Sequence, residues 1–160
     1  MSNPRANTPE SVHATAVALG DKSVLIRGPS GSGKSDLALR CIAAAPLAHV
    51  ADRAELVSDD QVNLSRTAKG IETTAPPTIA GKIEVRGLGI VELPYRASAH
   101  LALVVEIVPA EDVPRYPLDH LTAVFWDIEV PVVRLAAFEA SAPVKLLLAL
   151  HAAAVPLTPP

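Results

Sequence analysis

The sequence of 160 residues has little cysteine, few aromatic side chains and no excess of positive charge. Its single cysteine, Cys41, excludes an internal disulfide and lies in an apolar helical run, where a small buried thiol is the expected role. Aromatic residues make up 3% of the chain, and the net charge is −3. Without Lys/Arg clusters or interleaved aromatics, the composition argues against nucleic acid as the main ligand.

Long hydrophobic runs are also missing. No stretch approaches the roughly 18 uncharged apolar residues that a membrane-spanning helix needs, and the initial MSNPRANTPE lacks the pattern of a signal peptide. We therefore expect a cytoplasmic protein without a membrane partner. Hydrophobic residues nevertheless make up 49% of the chain, which is enough to form a folded core.

Prolines at both ends of the chain predict disordered tails over residues 1–10 and 156–160, which leaves one domain over residues 11–155. Near its start, the runs SVHATAVAL and SVLIR predict a hairpin whose second strand leads into a glycine loop. A largely buried helix is expected over residues 35–45, where Pro46 ends it.

The rest of the chain is richer in strands than in helices. ELVSDD is typical of a short buried strand, and at IETTAPP the chain is expected to leave the extended structure that follows it. TIAGKIEVRGLGIVELP has no clear periodicity, which is typical of a functional loop. HLALVVEIV predicts the strongest strand, and AVFWDIEVPVVRL predicts two strand pieces around Pro131. The apolar run after Ser141, a suitable N-cap, predicts a terminal helix. Together these elements predict an α/β fold based on a sheet with few helices.

The segment RGPSGSGKSDLALR contains the pattern GxxxxGK[ST] between a predicted strand and a predicted helix, the context that a phosphate-binding loop requires. Glycines let backbone N–H groups point inward, a lysine reaches the β- and γ-phosphates, and a serine hydroxyl can ligate magnesium. The alternative is a chance glycine turn, which the two flanking elements disfavour. The predicted cradle consists of Gly28, Pro29, Ser30, Gly31, Ser32, Gly33, Lys34 and Ser35.

Two acidic residues, Asp59 and Asp60, follow the apolar strand ELVS. Adjacent side chains on a strand point to opposite faces, so the two carboxylates are expected to have different functions. One suits the magnesium shell, and the other could accept the proton of an acceptor hydroxyl during phosphoryl transfer. An exposed Asp-Asp turn is the alternative without catalytic meaning.

Three blocks resemble the catalytic domain of the HPr kinase/phosphorylase family, whose members phosphorylate a serine of the phosphocarrier protein HPr. They are GPSGSGKSDLAL, LVSDD and IEVRGLGIVEL, and the likeness extends from about Val12 to Arg115. The third block is the most specific, because few other phosphate-loop proteins contain it. The resemblance implies a sheet-rich phosphate-loop kinase fold of the HPr kinase/phosphoenolpyruvate carboxykinase-like type.

The resemblance also implies roles for individual residues. Asp60 corresponds to the catalytic aspartate, Lys34 to the loop lysine, His13 to a histidine ahead of the loop, and Arg115 to an arginine linked to the chemistry. Read alone, His13 on a strand is more typical of a structural histidine. Arg115 lies between prolines in the predicted loop EDVPRYP.

The candidate metal ligands are Ser35 of the loop, Asp59 beside the catalytic aspartate, and Glu84, which corresponds to the magnesium-binding glutamate of the family. The cofactors are expected to be ATP and Mg²⁺. Without the resemblance, Glu84 and Arg86 would be interpreted as a solvated surface pair in a charged, glycine-bounded loop. The residues alone leave open which of Asp59 and Asp60 is the base.

The implied function is an ATP- and magnesium-dependent serine kinase acting on HPr in phosphotransferase-system signalling, assembled as a hexamer. The long N-terminal domain of the family has no room before Gly28, which suggests the short proteobacterial form. A C-terminal segment associated with removing phosphate from HPr has no clear counterpart in VPVVRLAAFEASAPVKL, so phosphorolysis is doubtful. The alternatives are a nucleotide-dependent HPr-binding module without turnover and a small-molecule kinase.

Overall fold

A nine-stranded sheet forms the centre of the computed structural model, which describes residues 8–50, 52–117 and 119–160. The strands and helices are β1 (Glu10–His13), β2 (Thr15–Leu19), β3 (Lys22–Arg27), α1 (Lys34–Ala43), β4 (Ala54–Ser58), β5 (Gln61–Thr67), β6 (Gly70–Thr74), β7 (Lys82–Val85), β8 (Gly89–Glu92), β9 (Ser98–Ile107), β10 (Thr122–Phe125), β11 (Ile128–Leu135) and α2 (Ala142–Ala152). The prediction of a sheet-rich α/β fold with few helices is confirmed.

The strand order of the sheet is β1-β5-β6-β9-β3-β2-β4, and β7 and β8 form a separate hairpin. On the side of β9 away from β3, β6 pairs with the start of β9 and β11 with its end. Strands β3, β9 and β11 run parallel. Strand β2 is antiparallel to both β3 and β4, so β4 runs in the same direction as β3. The carboxyl ends of these four strands therefore meet at one edge of the sheet.

Apolar side chains on the two faces of the sheet form two core clusters. On one face, side chains of β3 and β9 such as Ile26 and Val105 pack against the buried faces of α1 and α2. On the other, Leu25 and Val104 share a cluster with Leu64 of β5, although β5 is not a hydrogen-bonded neighbour of β3 or β9. The sheet therefore curves over its own second face, and side chains of its strands cover that face instead of a helix.

Both predicted helices are present. α1 begins at Lys34 and ends before Pro46, and its Cys41 is buried as expected. Burial raises the pKa of the Cys41 thiol to about 12, so the thiol remains protonated at neutral pH. Ser141 occupies the N-cap position of α2, although its hydroxyl makes no capping hydrogen bond. Within the described ranges, neither helix is long and apolar enough to cross a bilayer.

Four sequence interpretations of the strands need correction. IETTAPP does not leave the sheet, because Gly70–Thr74 returns as β6 and pairs with β5. The expected functional loop contains the β7–β8 hairpin. Pro131 does not separate two strands, since it lies inside β11 and the turn falls at Trp126–Asp127. The run over residues 11–19 is divided between β1, which pairs with β5, and β2, which forms the predicted hairpin with β3.

The two ends of the chain lie partly within the described residues. Residues 1–7 of the predicted N-terminal tail lie outside them, and Glu10 is the first residue of β1. At the other end, the Thr158 hydroxyl donates a hydrogen bond to the carbonyl of Thr67 on β5. The backbone of Pro156 packs closely against Gly70. These contacts place the C-terminal segment along the turn between β5 and β6.

Candidate active site

The glycine loop and the acidic pair lie at the edge of the sheet where β3, β4 and β9 end. The loop follows β3 directly, and Asp59 follows β4. Because β2 runs in the opposite direction, its first residue, Thr15, lies at the same edge, where it is paired with Ile26 of β3. In α/β sheets with parallel strands, ligands bind beyond the carboxyl ends of the strands, so this edge is the expected location of a site.

The loop connects β3 to α1 through a tight turn, in which the Ser32 N–H donates to the carbonyl of Pro29. Gly33 has a φ of 99°, and a Cβ built on it would lie 2.8 Å from the ring of Phe138. Glycine is therefore required at position 33 by both backbone conformation and space. No side chain of the described residues caps α1 at Gly33, so the first N–H groups of the helix face the cleft without a side-chain acceptor.

The two loop residues expected to bind phosphate and metal lie at the start of α1. Lys34 is only 7% exposed, and its Nζ donates to the carbonyl oxygens of Gly28 at 2.8 Å and Pro29 at 3.0 Å. The Ser35 hydroxyl donates to Oδ1 of Asp59 at 2.6 Å. The loop carbonyls hold the ammonium group next to the helix terminus, from which it can turn toward an anion.

Asp59 is 5% exposed and links three elements of the site. Its Oδ1 accepts hydrogen bonds from the hydroxyls of Ser35 on α1, at 2.6 Å, and Thr15 on β2, at 3.0 Å. Its Oδ2 accepts from the backbone N–H of Glu84 on β7, at 3.0 Å. A carboxylate that accepts three hydrogen bonds from separate elements fixes their relative positions.

We expect Asp59→Ala to lower the free energy of unfolding by about 1–3 kcal/mol, since the buried Thr15 hydroxyl and the Glu84 N–H would lose their acceptor. Urea denaturation measures the change. Asp36→Ala is the matched control, because Asp36 is an exposed member of an i,i+4 pair with Arg40, a type of contact that contributes only about 0.2–0.5 kcal/mol. Equal losses in the two variants would contradict the linking role of Asp59.

Asp60 differs from its neighbour in both backbone and environment. Its φ is 68°, in the left-handed region, so the chain turns sharply after Asp59. The Asp60 side chain is 70% exposed, and its Oδ1 lies 3.4 Å from Nδ1 of His13 at the end of β1. The two acids therefore do occupy different environments. The reason is this turn after β4 and not the alternation along a strand that the sequence suggested.

The β7–β8 hairpin closes one side of the site. Glu84 lies on β7 and not in a loop, and its backbone is held by Asp59. Arg86 and Gly87 follow in the turn of the hairpin, and Gly87 has a φ of 90°. The side chains of Glu84 and Arg86 are exposed and line the same cavity as the phosphate loop. The block that carries the most specific resemblance thus faces the loop directly.

The cavity between loop, acids and hairpin has a volume of about 590 Å³, within the usual range for small-molecule sites. We call it the cleft. It brings together many of the predicted site residues, but its lining does not include Arg115, the buried Asp59 or the loop residues Gly28, Pro29 and Ser32. Arg115 is exposed beyond the short 3₁₀ helix Ala110–Asp112 and lies over the ring of Tyr116, at 5.9 Å. The predicted residues that line the cleft are His13, Ser30, Gly31, Gly33, Lys34, Ser35, Asp60 and Glu84.

The residues of the cleft suit a magnesium ion bound together with phosphate. Among the described residues, no group of three or more His, Cys, Asp or Glu side chains is placed to hold a metal ion. Magnesium at phosphoryl-transfer sites commonly takes only one or two protein ligands and completes its shell with water and phosphate oxygens. The Ser35 hydroxyl and the Asp59 carboxylate, 2.6 Å apart at the helix terminus, are oxygen donors of this kind.

Thr15 and Phe138 belong to the cleft but were not among the site residues predicted from the sequence. Thr15 holds Asp59, and the only signal for it was a polar residue within an apolar strand. Phe138 follows β11, about one hundred residues after the loop that it contacts, and nothing in the local sequence indicated that contact. Both positions depend on strand pairing across the sheet.

A glycine loop between a strand and a helix, with two acids after another strand that ends at the same edge of the sheet, defines a phosphate-loop domain. The family model for the HPr serine kinase C-terminal domain matches residues 5–152. The chain therefore belongs to this family, as the resemblance of the three sequence blocks predicted.

Individual relatives carry the same family name. The HPr kinase/phosphorylase of Bordetella pertussis is 37% identical over 123 residues, which cover 70% of this chain and 37% of the relative. That of Cupriavidus metallidurans is 33% identical over 129 residues, covering 74% of this chain and 36% of the relative. The chain thus spans little more than a third of the length of these curated relatives.

A solved structure, that of the Hpr(Ser) kinase/phosphatase from Coxiella burnetii, shares the fold. Its TM-score is 0.71 at 24% identity, and the likeness covers 86% of each chain. The similarity of folds at this low identity agrees with the α/β architecture predicted from the sequence.

Proposed function

We propose that this protein is an ATP- and magnesium-dependent serine kinase that phosphorylates an HPr-type phosphocarrier protein in the cytoplasm. The observation that carries the proposal is the cleft, in which the lysine of a phosphate loop and an exposed aspartate face a common space. Family membership supports HPr as the protein substrate, because the relatives are named for it.

The phosphate loop would bind the nucleotide phosphates. Backbone N–H groups at the start of α1 and the Lys34 ammonium present positive charge to the β- and γ-phosphates. For this, Lys34 exchanges its hydrogen bonds with the Gly28 and Pro29 carbonyls for bonds with phosphate oxygens. The exchange favours a bound anion, because a charged acceptor makes a stronger hydrogen bond than a carbonyl.

Ser35, which lines the cleft, and Asp59, buried directly behind it, would hold magnesium, and Glu84 lines the cleft as a further oxygen donor. The ion, when bound, neutralises charge on the phosphate oxygens that shift during transfer. Asp59 also fixes the positions of Ser35 and Glu84, so it organises the metal site as well as contributing to it.

Asp60 would accept the proton of the substrate serine. Its side chain is exposed in the cleft and accepts none of the hydrogen bonds that occupy Asp59. His13 lies beside it and is suited to orient the Asp60 carboxylate. We therefore assign Asp60 as the base and Asp59 as the positioning and metal-binding residue. Arg115 remains a prediction from the resemblance, whereas Arg86 lines the cleft.

The direct test is incubation of the protein with labelled ATP, magnesium and an HPr-type protein. We expect phosphoserine on the HPr-type protein, dependent on magnesium. If nucleotide binds but no phosphoserine forms, the protein acts instead as a binding module. If a metabolite pool is phosphorylated without HPr, it is a small-molecule kinase.

Phosphate removal is expected to be slower than phosphorylation. Attack of inorganic phosphate on phosphoserine requires a second anion near the first, and therefore additional positive charge. In the C-terminal third, Arg134 lies near Glu106 and Lys145 is paired with Glu139, while Arg115 does not line the cleft. Seryl-phosphorylated HPr mixed with protein, magnesium and phosphate should lose its label far more slowly than it gained it. Rapid pyrophosphate formation would contradict this expectation. Arg86 would then be the first candidate for the additional positive charge, because it lines the cleft.

We further propose a homo-oligomer, a hexamer by resemblance to the family. Within one chain, α2 buries Ala142, Pro143, Leu146, Leu147 and Leu150, whereas Val144 and Leu148 remain exposed. Most of the apolar surface of this helix is therefore covered by its own domain. Light scattering should give the mass of an assembly, and a clean monomer would reject it.

A further inference from the structure

A second cavity, of about 520 Å³, adjoins the phosphate loop. Its walls are formed by the loop residues Pro29 and Ser32, by the end of β9 at Ile107 with the chain that follows, and by the segment after β11. Most of the lining side chains are aliphatic or aromatic. We call this cavity the apolar pocket.

Phe138 connects the apolar pocket to the cleft, because it lines both. Phe138 is 72% exposed, whereas phenylalanine is usually among the most buried residue types. On one side the ring closely approaches Gly33 of the loop, where a Cβ would lie 2.8 Å from Cζ. A ligand anchored by phosphate in the cleft would therefore pass the ring on entering the pocket.

We propose that the apolar pocket binds the base of the nucleotide whose phosphates the loop holds, with Phe138 as the aromatic surface against which the base packs. This inference rests on the proposed nucleotide-binding function and adds the location of the base. An aromatic ring offers every base a stacking partner, and stacking removes apolar surface of both rings from water. The pocket volume lies within the usual range for small-molecule sites.

The lining of the pocket offers few groups that could read the edge of a base. Pro29 and Pro109 have no backbone N–H, and the N–H of Val108 already donates to the carbonyl of Leu135. The Glu139 carboxylate accepts from Lys145. Among the described residues of this pocket, Ser32 has a buried hydroxyl oxygen without a hydrogen-bond partner.

Weak discrimination between bases follows from this scarcity of polar groups. A site built to hydrogen-bond its ligand can reject a close analogue by a factor of about 10⁴–10⁵, because the wrong analogue leaves buried polar groups of the site unpaired. Among its described side chains, the apolar pocket has no comparable set. We therefore expect ATP and GTP to bind with dissociation constants within about tenfold of each other, while tripolyphosphate, which has no base, binds more weakly than ATP.

The test compares ATP with tripolyphosphate, both with magnesium, by calorimetry on the intact chain. Phe138→Ala should raise the Kd for ATP by about tenfold or more, the usual loss when one stacking ring is removed, and change that for tripolyphosphate by less than about twofold. Phe138→Tyr should keep the affinity for ATP. Val124→Ala is the control, since Val124 is also largely exposed but lies on β10, away from both cavities.

Each contrary result overturns the inference. Equal losses of ATP and tripolyphosphate affinity in Phe138→Ala would show that the ring only supports the loop at Gly33. If Phe138→Ala left the affinity for ATP and for tripolyphosphate unchanged, the base would bind elsewhere. If the wild type did not bind tripolyphosphate, the phosphate loop would not hold the ligand, and the inference would lose its premise. The expected binding pattern together with no phosphoserine on HPr would overturn the kinase proposal and leave the base site standing.

Discussion

Lys34→Ala should lower kcat for phosphorylation of HPr by about 10²–10³, the usual loss when one group that stabilises transition-state charge is removed. It should also raise the Kd for ATP by about tenfold or more, because a charge-assisted hydrogen bond to phosphate contributes about 1.5–3 kcal/mol. The reason is that Lys34 is held at the start of α1, beside the uncapped helix terminus, where the phosphates would bind.

Calorimetry with ATP and single-turnover kinetics with HPr measure the two effects of Lys34→Ala separately. Lys69→Ala provides the control, since Lys69 lies exposed in the turn between β5 and β6 and outside the cleft. Turnover at the wild-type level in the Lys34 variant would contradict the assignment of the phosphate loop. Loss of activity in both variants would indicate a general effect of reduced charge.

The phosphate loop and α1 could be predicted because their signals are local. Glycines at positions 28 and 33, followed directly by lysine, serine and helix-forming residues, specify a strand-loop-helix unit without reference to the rest of the chain. The apolar run that forms β9 was equally clear, since it is long and buried along most of its length. Short-range patterns of this kind depend little on the remaining topology.

The parts that were missed depend on partners distant in sequence. β6 is a short strand with polar residues, and it is stabilised by pairing with β5 and β9, which no local pattern reveals. In the β7–β8 hairpin, β7 contains two charged residues, and Ile83 is the single fully buried side chain of that strand. Tertiary context therefore determined both elements, as is common for strands.

The division of roles between the two acids shows the same limit. The sequence predicted that Asp59 and Asp60 differ, but the proposed distinction depends on the left-handed turn at Asp60 and on hydrogen bonds from Thr15, Ser35 and Glu84 to Asp59. These donors come from elements separated by tens of residues. The functional difference between adjacent aspartates is thus produced by the fold around them.

Asp60→Asn should reduce kcat for phosphorylation of HPr by about 10²–10⁴, because an amide cannot accept the serine proton. We expect this substitution to leave the local backbone and the core unchanged. Asparagine adopts the left-handed region readily, so the φ of 68° at this position is retained, and the exposed side chain makes little contribution to the core. The affinity for ATP and magnesium should therefore change little.

Asp59→Asn supplies the contrast to Asp60→Asn. It keeps the shape of the side chain but removes the charge beside Ser35, so we expect weaker binding of magnesium and nucleotide in addition to slower turnover. Steady-state kinetics with HPr, combined with calorimetry for ATP and magnesium, separates the two patterns. If Asp60→Asn turned over at the wild-type rate, another residue would have to be the base. If the variant lost mainly its affinity for magnesium, Asp60 would belong to the metal site, and the roles of the two aspartates would be exchanged.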